Sequence, residues 1–426
     1  MTLGRVLRTM EWSSLDDSAR RSLVDRDLNR LIPESLREQI AGLVADVRDR
    51  GDDAVVDALA KFDRVDAKAS DLLVSDAERQ AARTSVSDEL RAAIREMVDN
   101  IRRFNVEARR RSEDWSFESR PGLTVGEKVT AIESAGLFCP SGKASYPSVL
   151  AQLGTPAVVA GVGRIAVVVP PKPGAGGAVD PVVLAVADEL GLDDVFRVNG
   201  PAGVAALAFG TETIPKVVKV MGPGSLPVTV AQLEIQRYGT AVQMGLGPTE
   251  SLVIADASAD PVRLAADLLI EAEHGTDSCT LLITTSRALA DATETELVRL
   301  INLLPAVRAE AAASSLGVNG GCAIVASLDE AVEAHILGRL VNAGEILLGQ
   351  HTPFSAANFL IGCPASLPTN GFARVTSGVT VESFLKRTAV ARADEAALRA
   401  MAPSITALAD VEGFPAHANA IRLRFP

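Results

Sequence analysis

Two stretches of this chain alternate short apolar segments with alanine-rich segments, and this alternation restricts the possible folds more than any other feature. The first stretch begins near residue 129 and includes RIAVVVPP, PVVLAVADELG and KVVKVMGPG. The second begins at SLVIADASAD and runs through TLLITTS and GCAIVAS to EILLGQHT. Short buried strands that alternate with helices are typical of parallel sheets covered by helices. The sequence therefore predicts an α/β protein with two halves and a cleft between them.

Helical segments are predicted on both sides of these stretches. Apolar residues repeat with helical spacing in residues 36–47 and 90–104, and the tail after Phe384 has a similar pattern. A chain of 426 residues is too long for one ordinary core. We therefore expect two or more domains.

Charge and cysteine spacing limit the class of partner and the compartment. The chain has 54 Asp and Glu against 42 Lys and Arg, a net charge of −12, which opposes nucleic acid or an anionic membrane as the main partner. A small-molecule ligand is expected instead. The four cysteines include no C-x-x-C pair, the N-terminus has no apolar run like that of a signal peptide, and no stretch has the length of a membrane span. We expect a cytoplasmic protein.

A glycine-rich stretch, PPKPGAGGAVDP, follows the predicted strand RIAVVVP, as a dinucleotide-binding loop would. It departs from the G-x-G-x-x-G fingerprint because Val179 occupies the place of the third glycine. Both a phosphate-binding loop and an ordinary surface turn fit this sequence. The segments MGPGS and GLGPTES contain Gly-Pro pairs after apolar strands, so turns alone explain them. Ligands of α/β proteins nevertheless often lie at such strand ends.

Histidine is scarce, with four in the chain, and His274 and His417 each stand near glutamates in sequence that favours a helix. In DLLIEAEHGTDS, Asp267, Glu271 and His274 are spaced so that a helix would place all three on one face. Imidazole and carboxylate are zinc ligands, so the segment is a candidate metal site. A solvated helix face that ends at Gly275 is the alternative interpretation. The second such histidine is His417, in EGFPAHANAI.

Six segments, in chain order, resemble histidinol dehydrogenases. They are AGLFCPSGKASYPS, FGTETIPKVVKVMGPG, GPTESLVIAD, AADLLIEAEH, LPTNGFARVTSGVTVESFLKRT and EGFPAHANAIRLR. On this match, which covers nearly the whole chain, the protein is identified as a member of the histidinol dehydrogenase family. The resemblance implies a zinc-dependent, NAD-linked homodimer that oxidises an amino alcohol to its aldehyde and then to the acid.

The fold implied by the resemblance is α/β, with two incomplete Rossmann-like domains and small helical N- and C-terminal segments in an intertwined homodimer. We expect a helical segment at 1–30, a first α/β domain formed by 31–137 and 251–380, and a second Rossmann-like domain at 138–250. Residues 381–426 would be a dimerisation tail that reaches the site of the partner subunit.

Four residues match the zinc ligands that the resemblance implies. The family has Gln, His, Asp and His, and this chain has Glu271, His274, Asn358 and His417 at those positions. The two substitutions cancel in charge, since the amide has become a carboxylate and the carboxylate an amide. We expect a retained but rearranged metal site, because two imidazoles and one carboxylate suit zinc. Loss of metal binding by drift is the alternative.

The catalytic pair of the family has no clear counterpart. The family carries Pro-Glu-His-Leu-Glu, whose His is the general base and whose Glu assists water, but this chain runs DEAVEAHILGRLVNAGEILLG and is much shorter there. Glu333 and His335 are the nearest substitutes for the two catalytic residues. Their i, i+2 spacing in a predicted helix points them to different faces, so a helix-surface histidine is the alternative for His335.

The positions implied to contact cofactor and substrate have also changed. Where the family has Tyr, Gln and Asn at the dinucleotide, this chain has Phe138, Ala202 and Ser225, so polar contacts with NAD are reduced. Ala365 replaces a substrate-contacting His, while Thr249 and Glu412 match the Ser and Glu of the substrate region.

Three functions remain open from the sequence. The first is a zinc-dependent, NAD-linked oxidoreductase for a small alcohol or amino alcohol other than histidinol. The second is a non-catalytic homologue that keeps the fold and dimer and binds a metabolite or a partner. The third is a true histidinol dehydrogenase with a substitute base.

Overall fold

The structure is a computed structural model that describes residues 5–24, 32–141, 145–243, 249–327 and 340–425. Its strands are β1 (Thr9–Glu11), β2 (Trp115–Arg120), β3 (Leu123–Ala131), β4 (Ser134–Phe138), β5 (Arg164–Val169), β6 (Val195–Arg197), β7 (Lys219–Met221), β8 (Ala241–Val242), β9 (Glu250–Ala255), β10 (Cys279–Thr284), β11 (Gly321–Ile324) and β12 (Leu385–Ala393).

The longer helices are α1 (Asp17–Val24), α2 (Glu34–Arg50), α3 (Asp52–Ala58), α4 (Asp76–Ser85), α5 (Asp88–Arg110), α6 (Pro147–Ala160), α7 (Pro181–Leu190), α8 (Gly200–Phe209), α9 (Leu226–Gln236), α10 (Pro261–Ala272), α11 (Arg287–Ile301), α12 (Ala306–Ser314), α13 (Glu395–Val411) and α14 (Pro415–Arg422). Single helical turns lie at Trp12–Ser14, Leu59–Asp63, Ala69–Asp71, Ser315–Asn319, Phe354–Ala356, Ala357–Ile361, Phe372–Arg374 and Val381–Phe384. The segment EILLGQHT, expected to begin with a strand, is irregular in the structure.

A five-stranded parallel sheet has the order β6-β5-β4-β7-β8. In chain order this is 3-2-1-4-5, the strand order of a Rossmann domain without its sixth strand among the described residues. One face is covered by a core that includes α5, α6 and α7, and the other by a core that includes α2, α8 and α9. The predicted incomplete Rossmann-like domain is confirmed.

A second, four-stranded parallel sheet has the order β1-β11-β10-β9. Helices α10 and α11 pack on it through apolar residues such as Leu268 and Leu297. The N-terminal segment was expected to be helical, but it also supplies the edge strand β1. The backbone N–H groups of Val6 and Leu7 donate to the Glu294 carboxylate at 2.6 and 2.7 Å, which fixes this segment against α11.

The packing differs from the expected division into domains. Helices α2 to α5, expected to belong with residues 251–380, pack on the five-stranded sheet because their apolar stripes face its two cores. The segment 354–384 contacts both bodies: Phe354–Ala356 packs against α10, whereas Ala357–Ile361 packs on α5 and Val381–Phe384 on α6. This segment therefore joins the two sheets' bodies beside the end of α10.

The C-terminal tail leaves several large apolar side chains exposed. Strand β12 pairs with β3 in an antiparallel sheet of order β12-β3-β2, and α13 and α14 pack on each other. In this helix pair, Leu408, Val411, Phe414 and Leu423 are exposed. The helices that the structure describes include none that is both long and apolar enough to cross a membrane.

Candidate functional site

Helix α10 places Glu271 and His274 beside each other. The Asp260 side chain caps the start of the helix by accepting from the N–H of Val262 at 2.8 Å, and Pro261 occupies its first turn. Apolar residues of α10 are buried, and Glu271 on its last turn is also buried at 8% exposure. The helix ends at Ala272, so His274 lies just beyond it rather than on a continuous helical face as expected.

Four of the predicted site residues converge at this helix end. The Glu271 Oε2 atom lies 3.3 Å from His274 Nδ1, and Asn358 Nδ2 donates to Glu271 Oε1 at 3.3 Å. The Thr249 hydroxyl lies 3.2 Å from His274 Nδ1. Burial disfavours the charged imidazole, but the hydrogen bond and charge of Glu271 outweigh it and raise the pKa of His274 above its usual value. The arrangement is a buried carboxylate and an imidazole, with an amide and a hydroxyl beside them.

Helix α5 holds Asn358 in position. The turn Ala357–Ile361 packs on α5, where Asn100 Nδ2 donates to the Leu360 carbonyl at 2.8 Å. The turn ends at Gly362, whose φ is 88°, and a Cβ there would lie 2.5 Å from the Asn100 carbonyl oxygen. Only glycine combines that backbone conformation with so close an approach. This contact brings Asn358 across to α10.

Glu345 is a carboxylate that the sequence reasoning did not single out. Its Oε1 atom is buried and has no hydrogen-bond partner in the part of the chain that the structure describes. Burial, followed by the negative charge of Glu271, raises the pKa of Glu345 to about 7. Burial, followed by the negative charge of Glu345, raises the pKa of the Cys363 thiol. No motif marked Glu345, because it lies in a segment whose apolar pattern predicted a strand.

The donor chemistry of this site fits a divalent cation, although one chain does not complete its coordination. Glu271 and His274 offer zinc-compatible oxygen and nitrogen atoms. Within the described ranges, no three His, Cys, Asp or Glu side chains converge as a metal-binding group. His417 therefore does not join Glu271 and His274 within one chain; it is exposed on α14, with its ring centroid 5.1 Å from that of Phe414.

The other predicted substrate and catalytic residues lie apart or outside the described ranges. The Ala365 N–H donates to Oε1 of the buried Gln152 on α6 at 3.3 Å. Glu412 is exposed directly after α13. Glu333 and His335 fall outside the described residues, so their roles stay predictions.

The carboxyl edge of the five-stranded sheet offers few polar side chains at the positions predicted to contact NAD. Phe138, the last residue of β4, is 2% exposed, and Ala202 on α8 is 0% exposed. A Cβ on Gly200 would lie 3.3 Å from the Phe138 ring, so the aromatic side chain fills the space beside the start of α8. Ser225, before α9, is exposed. Of these three positions, Ser225 alone presents a polar side chain to a ligand, so the fit to a dinucleotide rests on it and on the nearby helix N-termini.

The glycine-rich stretch after β5 is an ordinary turn in the structure. Its backbone closes on itself, with the N–H of Lys172 donating to the Ala178 carbonyl at 2.9 Å. The Asp180 side chain caps α7 at the Val182 N–H, 2.9 Å away, and also pairs with Lys172 Nζ at 2.9 Å. Because a carboxylate already occupies this helix N-terminus, the structure favours the surface-turn interpretation over a phosphate loop.

Comparisons with known proteins agree on one family. The sequence model of the family described as histidinol dehydrogenase matches residues 29–425. A histidinol dehydrogenase from Methanosarcina barkeri is 37% identical, over 92% of this chain and 92% of the relative. A protein named histidinol dehydrogenase homolog from Colwellia psychrerythraea is 35% identical, over 96% of this chain and 94% of the relative. The crystal structure of histidinol dehydrogenase from Elizabethkingia anophelis is similar with a TM-score of 0.91 and 30% identity, over 99% of this chain and 98% of that chain.

Proposed function

Because the chain belongs to the histidinol dehydrogenase family of NAD-dependent zinc oxidoreductases, we propose that it is a zinc-dependent, NAD-linked oxidoreductase for a small alcohol or amino alcohol other than histidinol. The observation that carries this proposal is the convergence of Glu271, His274, Asn358 and Thr249 at the end of α10. These residues come from three separate parts of the chain, and they occupy positions that match metal and substrate residues of the family.

Each residue has a definite role in this proposal. Glu271 and His274 hold the metal, and the Asn358 amide fixes the orientation of the Glu271 carboxylate. Thr249 lies beside His274 and is placed to hydrogen-bond a substrate hydroxyl. A bound zinc ion would lower the pKa of a coordinated alcohol, and NAD would accept the hydride.

The proposed substrate differs from histidinol because two polar groups of the family's substrate region have no equivalent. Ala365 stands where the family has a substrate-contacting histidine, and its methyl group cannot hydrogen-bond an imidazole ring. The Pro-Glu-His-Leu-Glu segment of the general base is also missing from the sequence. A site that lacks these partners leaves the polar groups of histidinol unpaired.

A homodimer is part of the proposal. The tail helices α13 and α14 expose Leu408, Val411, Phe414 and Leu423, an apolar surface that favours association. His417 lies on this tail and does not meet Glu271 within one chain. A second subunit whose tail covers the site would supply that histidine.

The second candidate function is a non-catalytic homologue that binds a metabolite or partner. Burial of Phe138 and Ala202 favours it, because a lost dinucleotide site would remove the hydride acceptor. A true histidinol dehydrogenase is the third candidate, since several relatives carry that name.

The distinguishing experiment follows NADH formation by purified, zinc-loaded dimer with a panel of amino alcohols and simple alcohols that includes histidinol. We expect turnover with one member of the panel other than histidinol, and loss of that turnover in His274→Ala. Rapid oxidation of histidinol would establish the third candidate. Absence of NADH with every alcohol, together with no thermal stabilisation by NAD, would favour the second.

A further inference from the structure

Asp63 places a carboxylate at the carboxyl edge of the five-stranded sheet. It ends the helical turn Leu59–Asp63, and its Oδ2 atom accepts a hydrogen bond from Asn199 Nδ2 at 2.9 Å. Asn199 lies between β6 and α8, and its side chain does not cap α8. Burial raises the pKa of Asp63, the hydrogen bond from Asn199 lowers it, and no charged side chain among the described residues contributes. The carboxylate is therefore held at the point where the chain leaves β6, without a cation beside it.

The loop that follows β5 also meets the segment of Asp63. A Cβ on Gly177 in this loop would lie 2.9 Å from Val65 Cγ1. Residues 63–65 therefore lie between the end of β5 and the start of α8, which are the second and third strand ends of this domain in chain order. In a Rossmann domain, an Asp or Glu on this half of the edge hydrogen-bonds the adenosine ribose of a bound dinucleotide.

The end of β5 supplies no acid of its own for that role. Val169 is followed by Pro170, Pro171 and Lys172, and the nearby Asp180 is already occupied by Lys172 and by the cap of α7. Asp63, by contrast, is partly exposed. Asn199 holds its Oδ2 atom, whereas its Oδ1 atom receives no hydrogen bond within the described ranges. Asp63 therefore presents a carboxylate oxygen that a ligand at this edge can reach.

We propose that Asp63 binds the hydroxyl groups of the adenosine ribose and selects NAD over NADP, with Asn199 as the positioning residue that orients its carboxylate. This inference rests on the NAD link of the proposed function and extends it to a residue outside the positions that the resemblance implies. A carboxylate accepts strong hydrogen bonds from ribose hydroxyls. It repels the 2′-phosphate of NADP, and partial burial strengthens this repulsion because the local dielectric is lower than that of water.

Calorimetric titration of the full-length protein with NAD and with NADP, in the absence of any alcohol, tests this role without turnover. We expect the unchanged protein to bind NAD at least about tenfold more tightly than NADP. Asp63→Asn keeps an oxygen that accepts from Asn199 but removes the charge. It should weaken NAD binding by a factor on the order of 10 to 100, as for a hydrogen bond to a charged group. It should weaken NADP binding less, so the preference for NAD should shrink.

Asp66→Asn is the matched control. Asp66 follows Asp63 in the same segment and is exposed, so the substitution removes the same charge from a solvated position. Both dissociation constants should stay within about twofold of those of the unchanged protein, because exposed charges are screened by salt. Asn199→Ala should weaken NAD binding less than Asp63→Asn, since it removes only the group that orients the carboxylate. Thermal unfolding without dinucleotide records the stability of each variant.

The outcomes separate this inference from the proposed function. If Asp63→Asn lowers the unfolding temperature but leaves the ratio of the NADP and NAD dissociation constants unchanged, Asp63 only ties the chain to Asn199. That result overturns the inference and leaves the proposed function standing. Equal affinity of the unchanged protein for NAD and NADP also overturns it. Binding of neither dinucleotide overturns both. If the preference for NAD depends on Asp63 but the protein oxidises no alcohol, the role of Asp63 stands and the proposed oxidoreductase fails.

Discussion

The end of α10 and the carboxyl edge of the five-stranded sheet are the two positions at which the family resemblance implies ligands, but their side chains differ in the hydrogen-bonding groups they offer. At the end of α10, Glu271, His274 and Asn358 remain polar and hydrogen-bonded to one another. At the sheet edge, Phe138 and Ala202 are part of the apolar core. On the assignments that the resemblance implies, we propose that substitution has rearranged donors at one site and removed them at the other.

This difference reflects how each site is built. The metal residues come from loops and helix ends that meet side chain to side chain, so the replacement of one carboxylate can be offset by another. The dinucleotide positions lie on the strand and helix that form the core, where an apolar side chain gains burial energy and is readily accommodated. We expect the metal function to be the better preserved of the two.

The largest expected effect is the loss of zinc in His274→Ala, which tests whether the metal site is preserved. His274 and Glu271 are the two proposed zinc ligands that lie together within one chain. Removing the His274 imidazole should reduce the zinc content to well below one ion per subunit. Elemental analysis after dialysis measures this. His351→Ala is the matched control, because His351 is exposed and lies outside the cluster. Equal zinc in both variants would contradict the site.

Truncation after Arg392 tests whether the tail completes the metal site. We expect loss of both the dimer and stoichiometric zinc, because the truncation removes α13, α14 and His417. Static light scattering and elemental analysis of the same sample measure the two losses. A truncated dimer that keeps its zinc would mean that Glu271 and His274 find their partners within one chain.

Turnover of histidinol should be absent or very slow, because the loss of a positioned general base typically lowers the rate by a factor on the order of 10² to 10⁴. Steady-state kinetics of the purified protein with histidinol measures this rate. Robust turnover of histidinol would show that another group performs the role of the missing base.

Ala202→Gln tests the sheet edge, by restoring the family's residue at a position that is now fully buried. We expect a loss of about 1 to 3 kcal/mol in the free energy of unfolding, typical of overpacking, and no gain in NAD affinity. Ser225→Ala, at an exposed position, should leave stability unchanged and weaken NAD binding by no more than about tenfold, as for one hydrogen bond. Urea unfolding measures the free energy of unfolding, and calorimetric titration measures the affinity for NAD. Tighter NAD binding by Ala202→Gln would show that the side chain can still reach the ligand.

The pH dependence of the metal-free protein is the smallest effect. The pKa of Glu345 is raised from 4.5 to about 7 by burial and by Glu271. Between these values the folded state binds more protons than the unfolded state, so stability should be higher near pH 4.5 and fall as pH rises toward 7. In Glu345→Gln, the unfolding temperature should no longer fall with pH for this reason between pH 4.5 and 7. If the pH dependence of the unfolding temperature is unchanged, the Glu345 carboxylate is solvated in the folded protein.

The strand and helix alternation predicted the parallel sheets correctly because local periodicity reports which faces are buried. The prediction of a helical N-terminal segment was incomplete, since β1 forms only by pairing with β11, more than 300 residues later. The apolar pattern of EILLG also predicted a strand, but no strand in the described ranges pairs with it. A strand needs a partner that its own residues do not specify.

The sequence by itself determined the fold class and the proximity of Glu271 to His274, because residues three positions apart at a helix end are close whatever surrounds them. The tertiary structure alone decided that Thr249 and Asn358 join them, since these residues are 25 and 87 positions away from their partners. It also decided that Phe138 and Ala202 are core residues and that the Oε1 atom of Glu345 is buried. Contacts across such separations depend on how the two bodies and the segment between them pack, which local patterns do not encode.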